Sequence, residues 1–125
     1  MNIEMFETNL NTQENFQKVY SALNNFIESD ENTIDYDSYE HELNEVLYAS
    51  LDSMDISEVL ELEIDTDEAS FESLIEVTAE IEITDNFGGE DITETITVNF
   101  NVAIIGQIDD EDNVIIDGIE SIEEQ

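Results

Sequence analysis

Ile75-Glu76-Val77-Thr78-Ala79-Glu80-Ile81-Glu82-Ile83-Thr84 decides the fold of this 125-residue chain. Apolar residues fill every odd position and polar residues every even one, the period of a strand with one buried and one wet face. The pattern returns downstream, where Ile96, Val98, Phe100, Val102 and Ile104 alternate with Thr95, Thr97, Asn99, Asn101 and Ala103. The turn-like Asp85-Asn86-Phe87-Gly88-Gly89 lies between the two runs. Upstream, Leu60, Leu62 and Ile64 alternate with Glu61, Glu63 and Asp65, and Val114-Ile115-Ile116 follows a turn from Asp109 to Asn113. Alternating segments separated by short turns predict an antiparallel meander of four to five strands.

Before Asp55 the period is helical. Asn11-Thr12-Gln13-Glu14 has the form of a helix start, a capping side chain followed by Glu. Phe16, Val19, Tyr20, Leu23, Phe26 and Ile27 then make one apolar stripe. Asp37-Ser38-Tyr39-Glu40 opens a second helix in the same way, with Tyr39, Leu43, Val46, Leu47, Leu51 and Met54 as its stripe. The chain reads as a single α+β domain over residues 1–125, two N-terminal amphipathic helices packed on the meander. Its length suits one core, and no proline or Ser/Gly-rich linker divides it.

Charge sets the functional question. Asp and Glu number 35 against one lysine, Lys18, and no arginine, for a formal net charge of -34. Small soluble domains usually carry a net charge of about 2–8 in magnitude. Self-repulsion on this scale costs stability, so it predicts a fold that added salt stabilises. The chain is not a disordered acidic tail, because 40% of it is hydrophobic and regularly spaced. Salt adaptation fits poorly, since abundant Ile and Asn suggest an AT-rich genome in which lysine would also be frequent. The acids are uneven as well: residues 1–27 hold only Glu4, Glu7 and Glu14, and residues 95–108 hold none.

Several classes drop out. Without cysteine there is no disulfide framework or thiolate chemistry. No apolar run approaches the roughly 18 residues of a membrane span, and the N-terminus lacks a basic signal-peptide region, so a cytoplasmic location is expected. Anionic membranes and nucleic acid itself would be repelled. An enzyme is not expected, since almost no group is available to stabilise a developing anion. His41, between Glu40 and Glu42, reads as a solvated surface histidine. Asp109, Glu111, Asn113, Asp117 and Glu120 fall at calcium-loop positions, but Val114 stands where that loop requires glycine. A solvated hairpin turn is the better reading, and neither metal nor cofactor is expected.

Alternate residues of a strand stand about 6.5–7 Å apart, so Glu61, Glu63 and Asp65, or Glu80 and Glu82, would present charges at intervals comparable to successive phosphates, with Glu76 further along the same wet face. Glu42, Glu45 and Asp52 would share a face of the second helix, with Tyr48 as an exposed aromatic anchor among them. On the neighbouring strand 92–104, Thr and Asn would sit beside the acidic strand and keep acidic ladders apart. These ten acidic and aromatic residues are the candidate partner-binding set. The expected partner is a basic nucleic-acid-binding protein, whose Lys and Arg groove is arranged for such an anion series.

In small size, single domain, Asp/Glu throughout, near-absence of Lys and Arg, and lack of cysteine, the whole chain resembles the acidic DNA-mimic inhibitors encoded by phages and mobile elements. These include anti-CRISPR proteins, anti-restriction proteins and uracil-DNA glycosylase inhibitors. The resemblance is one of class, and it carries no functional residue onto this sequence. It implies stoichiometric inhibition by filling the DNA-binding surface of a CRISPR effector or restriction nuclease, in the host cytoplasm if the chain is phage-encoded. An acidic chaperone or adaptor for a basic protein is the expectation from a different class.

Overall fold

The computed structural model describes residues 1–29 and 34–125. Helices α1 (Ile3–Leu10) and α2 (Gln13–Glu28) precede a 3-10 turn at Tyr36–Ser38 and four strands, β1 (Tyr48–Asp65), β2 (Ser70–Phe87), β3 (Glu90–Ile108) and β4 (Val114–Glu124). The strands lie in the order β1-β2-β3-β4, each antiparallel to the next, which is the expected α+β meander. The alternation of β2 and β3 sends Ile75, Val77, Ala79, Ile81 and Ile83 together with Ile96, Val98, Phe100, Val102 and Ile104 into the core. Val19, Leu23 and Ile27 of α2 and Phe6 and Leu10 of α1 cover them. Edge-to-face pairs lock the layers, Phe6 on Phe71 with centroids 5.0 Å apart and Phe26 on Phe100 at 6.1 Å.

The second helix is not where the sequence pattern puts it. The two helices are α1 and α2, and residues 39–47 form an irregular strap that leads into β1. The false signal has a physical source. Register shifts at Leu51/Ser53, Ile56/Glu58 and Val59/Glu61 each insert one extra residue into β1. Inward-facing residues therefore come at Leu51, Met54, Ile56, Val59, Leu62 and Ile64, with gaps of two and three. The gap of three from Leu51 to Met54 imitates a helical period and continues the spacing of Tyr39, Leu43, Val46 and Leu47 on the strap. The last shift also leaves Leu60, expected in the core, 39% exposed. The start expected at residues 11–14 is close to the true one, although Thr12 makes no side-chain cap and its hydroxyl donates to the Asn9 carbonyl instead.

Helix α2 touches β1 and β4, the two outer strands, so the sheet curls around it and its other face is convex. Polar helix side chains use the curl to plug both sheet edges. Asn15, only 3% exposed, donates to the Val114 carbonyl (2.7 Å) and accepts the Ile116 N–H (3.2 Å), as a neighbouring strand would. Lys18 donates to the Ile116 carbonyl at 2.9 Å with Glu14 at 3.6 Å, so the lone basic side chain serves the fold. On the β1 edge, Asn24 accepts the Leu51 N–H, Tyr20 donates to the Leu51 carbonyl and Glu7 accepts the Val59 N–H. Capped and bulged edges of this kind resist strand-to-strand association.

The turns are chemically distinct. Gly88 and Gly89, at φ of 65° and 87°, close the two-residue hairpin between β2 and β3. At the β3–β4 turn one oxygen of Asp109 accepts the N–H groups of Glu111 and Asn113, each at 2.9 Å, and the other accepts the Asn113 amide at 3.1 Å. That carboxylate organises the hairpin. Its hydrogen bonds from Asn113 are the main reason its pKa is lowered. A lowered folded pKa means that Asp109 contributes stability above the usual carboxylate range, and that this contribution is lost as pH falls through the lowered value. Asp109→Ala is therefore expected to melt below wild type at pH 7 and to converge with it as the pH drops toward 2–3, roughly the range below an ordinary aspartate. Thermal melts across that range that stay parallel would show that the carboxylate does not hold the turn.

Candidate functional site

Among the described residues no element packs over the convex face of the sheet. The strand register maps it row by row. Tyr48 lies opposite Thr84, Ser50 opposite Glu82, Ser53 opposite Glu80, Asp55 opposite Thr78, Glu58 opposite Glu76, Glu61 opposite Leu74, Glu63 opposite Glu72 and Asp65 opposite Ser70. Beyond β2 the face turns neutral: Glu82, Glu80, Thr78 and Glu76 are followed on β3 by Thr95, Thr97, Asn99 and Asn101. The face thus carries two adjacent acidic strands and one neutral one.

The neutral strand stands where the sequence places it, but it shields only one flank of β2. On the other flank Glu58 faces Glu76 and Glu63 faces Glu72, like charges directly opposed. Such pairs are destabilising. Hydroxyls and amides hold several of these side chains in place. Ser53 donates to Glu80 (3.3 Å), Ser57 and Thr78 share a hydrogen bond of 2.6 Å, and the Gln125 amide donates to both Glu76 and Asn101 at 2.8 Å. The carboxylates therefore stand on the sheet, with the side-chain freedom of Glu76 and Glu80 already restricted.

Of the candidate residues, Glu61, Glu63, Asp65, Glu76, Glu80, Glu82 and Tyr48 share this face, and Tyr48 is 57% exposed. Glu42, Glu45 and Asp52 do not join them through a helix. Asp52 is the extra residue of the first β1 bulge, and Glu42 and Glu45 lie on the strap. Asp55, Glu58 and Glu72 complete the acidic rows. Ser73 and Leu74 reverse the polar–apolar alternation of β2 and hide Glu72, and the bulges of β1 hide the other two.

Some carboxylates are spent on the fold. The strap has few ladder bonds, and acidic side chains take its backbone N–H groups instead. Glu94 accepts from Glu42 (2.7 Å) and Asp85, itself buried, from Glu45 (3.3 Å), and just before the 3-10 turn Glu124 accepts from Asp35 (3.2 Å). The Tyr39 hydroxyl also donates to Glu124. Burial, reinforced by Glu124, pushes the Tyr39 phenol above its ordinary pKa. His41 is not a free surface group. It accepts the Leu43 N–H on Nδ1, so Nε2 carries the proton and donates to the Tyr36 carbonyl at 3.0 Å.

No protein-family model, curated protein or solved structure matches this chain. Its chemistry is read from its own surface. No described helix is long and apolar enough to cross a membrane.

Proposed function

We propose that this chain is a nucleic-acid mimic that inhibits a bacterial defence nuclease, a CRISPR effector first and a restriction enzyme second, by occupying its nucleic-acid-binding surface. The carrying observation is the uncovered convex face with carboxylates in register along β1 and β2. From Glu72 to Glu82 is ten residues of strand, roughly 33 Å at the rise of an extended chain, close to the ~34 Å of one duplex turn. A convex acidic ridge of that length fits a cleft shaped for nucleic acid and offers no phosphodiester to cut. Removal of nearly every basic residue suits this role, because a surface lysine would repel the basic cleft. The one that remains is engaged with Ile116 and Glu14. A solvated acidic coat would give solubility without requiring either feature.

Affinity purification from a CRISPR-bearing bacterial lysate identifies the target, and a cleavage assay then tests the mechanism. Cleavage should stop at equimolar inhibitor, and excess substrate DNA or guide-loaded nucleic acid should displace the inhibitor. The Kd should weaken by about 100-fold or more between 50 and 200 mM salt, as for other interfaces built on many phosphate-like contacts. Binding that ignores salt, or a ternary complex with DNA in the same groove, would rule out mimicry. A partner kept soluble with its cleavage intact would instead identify a chaperone.

A further inference from the structure

One end of the convex face breaks the acidic pattern. Leu74 of β2 lies opposite Ala103 of β3, and Ala103 opposite Ser121 of β4. In the next row Glu72 meets Ile105, and Ile105 meets Gly118. The small side chain of Ala103 leaves a depression of about 230 Å³ lined by Leu74, Ala103, Ser73 and Ile104 and rimmed by Glu61, Glu63, Glu72 and Glu120. Glu120 reaches the rim because it is the extra residue of a β4 bulge, between the pairs Ala103–Ser121 and Ile104–Ile119. The four rim carboxylates are exposed, while Leu74 and Ala103 are half-buried.

We propose that this depression is a socket for an arginine side chain projecting from the partner's nucleic-acid-binding surface, an inference that rests on the mimic reading above. An arginine has the matching anatomy: an apolar stem to lie on Leu74 and Ala103, and a guanidinium to meet the rim. A purely apolar side chain would desolvate the carboxylates without pairing them, at a cost. A guanidinium pairs with them through charge-assisted, often bidentate bonds. A nucleic-acid backbone presents phosphates without an apolar-floored socket beside them. The socket therefore gives the mimic a contact that its competitor lacks, and one fully inserted arginine is the kind of residue that dominates an interface.

Ala103→Phe fills the socket without altering charge, so it separates docking from bulk electrostatics. The intact protein is titrated with a nona-arginine peptide and, separately, with hexaamminecobalt(III), a cation with no stem, both at low salt. In wild type the peptide should shift the methyl resonances of Leu74 and Ala103 saturably. Ala103→Phe should weaken peptide binding by roughly tenfold while leaving the cobalt complex unaffected. A peptide that binds without moving those methyls, fails to bind, or binds Ala103→Phe as tightly as wild type would overturn the socket. The wild-type methyl shifts decide the question even if Ala103→Phe folds poorly. If the peptide docks in the socket but no nuclease is inhibited, the mimic reading fails and the socket stands.

Discussion

Reversing Glu76, Glu80 and Glu82 to lysine is expected to abolish inhibition of the target nuclease while raising the stability of the fold. All three stand on β2 and alternate with the core residues Val77, Ala79 and Ile81, so the reversal leaves the buried face untouched. It places three cations at the centre of the acidic ridge, where they would meet the basic cleft of the partner. Close charge pairs across an interface couple by more than about 1 kcal/mol each, so inhibition should weaken at least ~100-fold, equivalent to about 3 kcal/mol. Stability should move the other way. Glu76 faces Glu58, and a lysine there turns a repulsive cross-strand pair into an attractive one, a change of roughly 1 kcal/mol or less. The lost hydrogen bond from Gln125 to Glu76 is on an exposed side chain and offsets only part of this. The Tm should rise by a few degrees, with far-UV circular dichroism unchanged. Reversal of Asp110, Glu111 and Asp112, in the β3–β4 turn that projects past the Asp65–Ser70 end of the acidic rows, should matter less. If the turn variant loses inhibition and the strand variant keeps it, the working face is at the other end of the molecule. If the strand variant melts lower than wild type, the opposed carboxylates are not costing the fold anything.

Opposite effects on stability and inhibition would mean that function maintains the opposed pairs Glu58–Glu76 and Glu63–Glu72. The same repulsion should be screened by salt, so wild-type Tm is expected to rise from low to moderate ionic strength while partner affinity falls. Salt moving both quantities the same way would mean that repulsion within the chain and attraction to the partner do not share an electrostatic origin.

What the sequence disclosed followed the regularity of each element. Strands β2 and β3 pair from Ser70↔Gln107 to Phe87↔Glu90 without a register shift, so the alternation of their residues maps directly onto two faces. Glu76, Glu80 and Glu82 were legible for that reason. Strand β1 carries three bulges, and the first sets Leu51 and Met54 three apart, which continued the apolar spacing of Tyr39, Leu43, Val46 and Leu47 and placed Tyr48 and Asp52 on a helix that does not exist. Helix α1, with eight residues and only Phe6 and Leu10 buried, is too short for periodicity to mark. The strap was beyond the pattern because long-range acceptors hold it: Glu94 and Glu124 come from β3 and β4, and Asp85 from the end of β2. A carboxylate that accepts a distant backbone N–H looks, in sequence, like any other acid. The socket was hidden too, since Glu120 reaches its rim only through a bulge.

Asn15 was equally silent in the sequence, a polar residue one position before the apolar stripe of α2, yet its replacement should carry the largest stability cost of any single change here. Its side chain satisfies the carbonyl of Val114 and the N–H of Ile116 on the β4 edge and also donates to the Asn9 carbonyl at 3.0 Å. Asn15→Leu keeps the volume but leaves a buried donor and acceptor without partners, a loss of about 2–4 kcal/mol, or roughly 8–15 °C in Tm. Lys18→Met removes a single, part-buried bond to the Ile116 carbonyl and should cost less. Asn15→Asp provides the mechanistic control. Its carboxylate can still accept from Ile116, but the charged form lies against the Val114 and Asn9 carbonyl oxygens, whereas the protonated form can donate to one of them. The folded state therefore favours protonation, and the folded pKa rises above the unfolded value of about 3.9. A raised folded pKa gives stability that is present at low pH and lost as pH climbs through the raised value. Urea unfolding should accordingly find Asn15→Asp close to wild type near pH 3.5 and no better than Asn15→Leu at pH 7. An Asn15→Leu variant within about 0.5 kcal/mol of wild type, the usual range of an inconsequential surface change, would mean that the β4 edge does not depend on the amide.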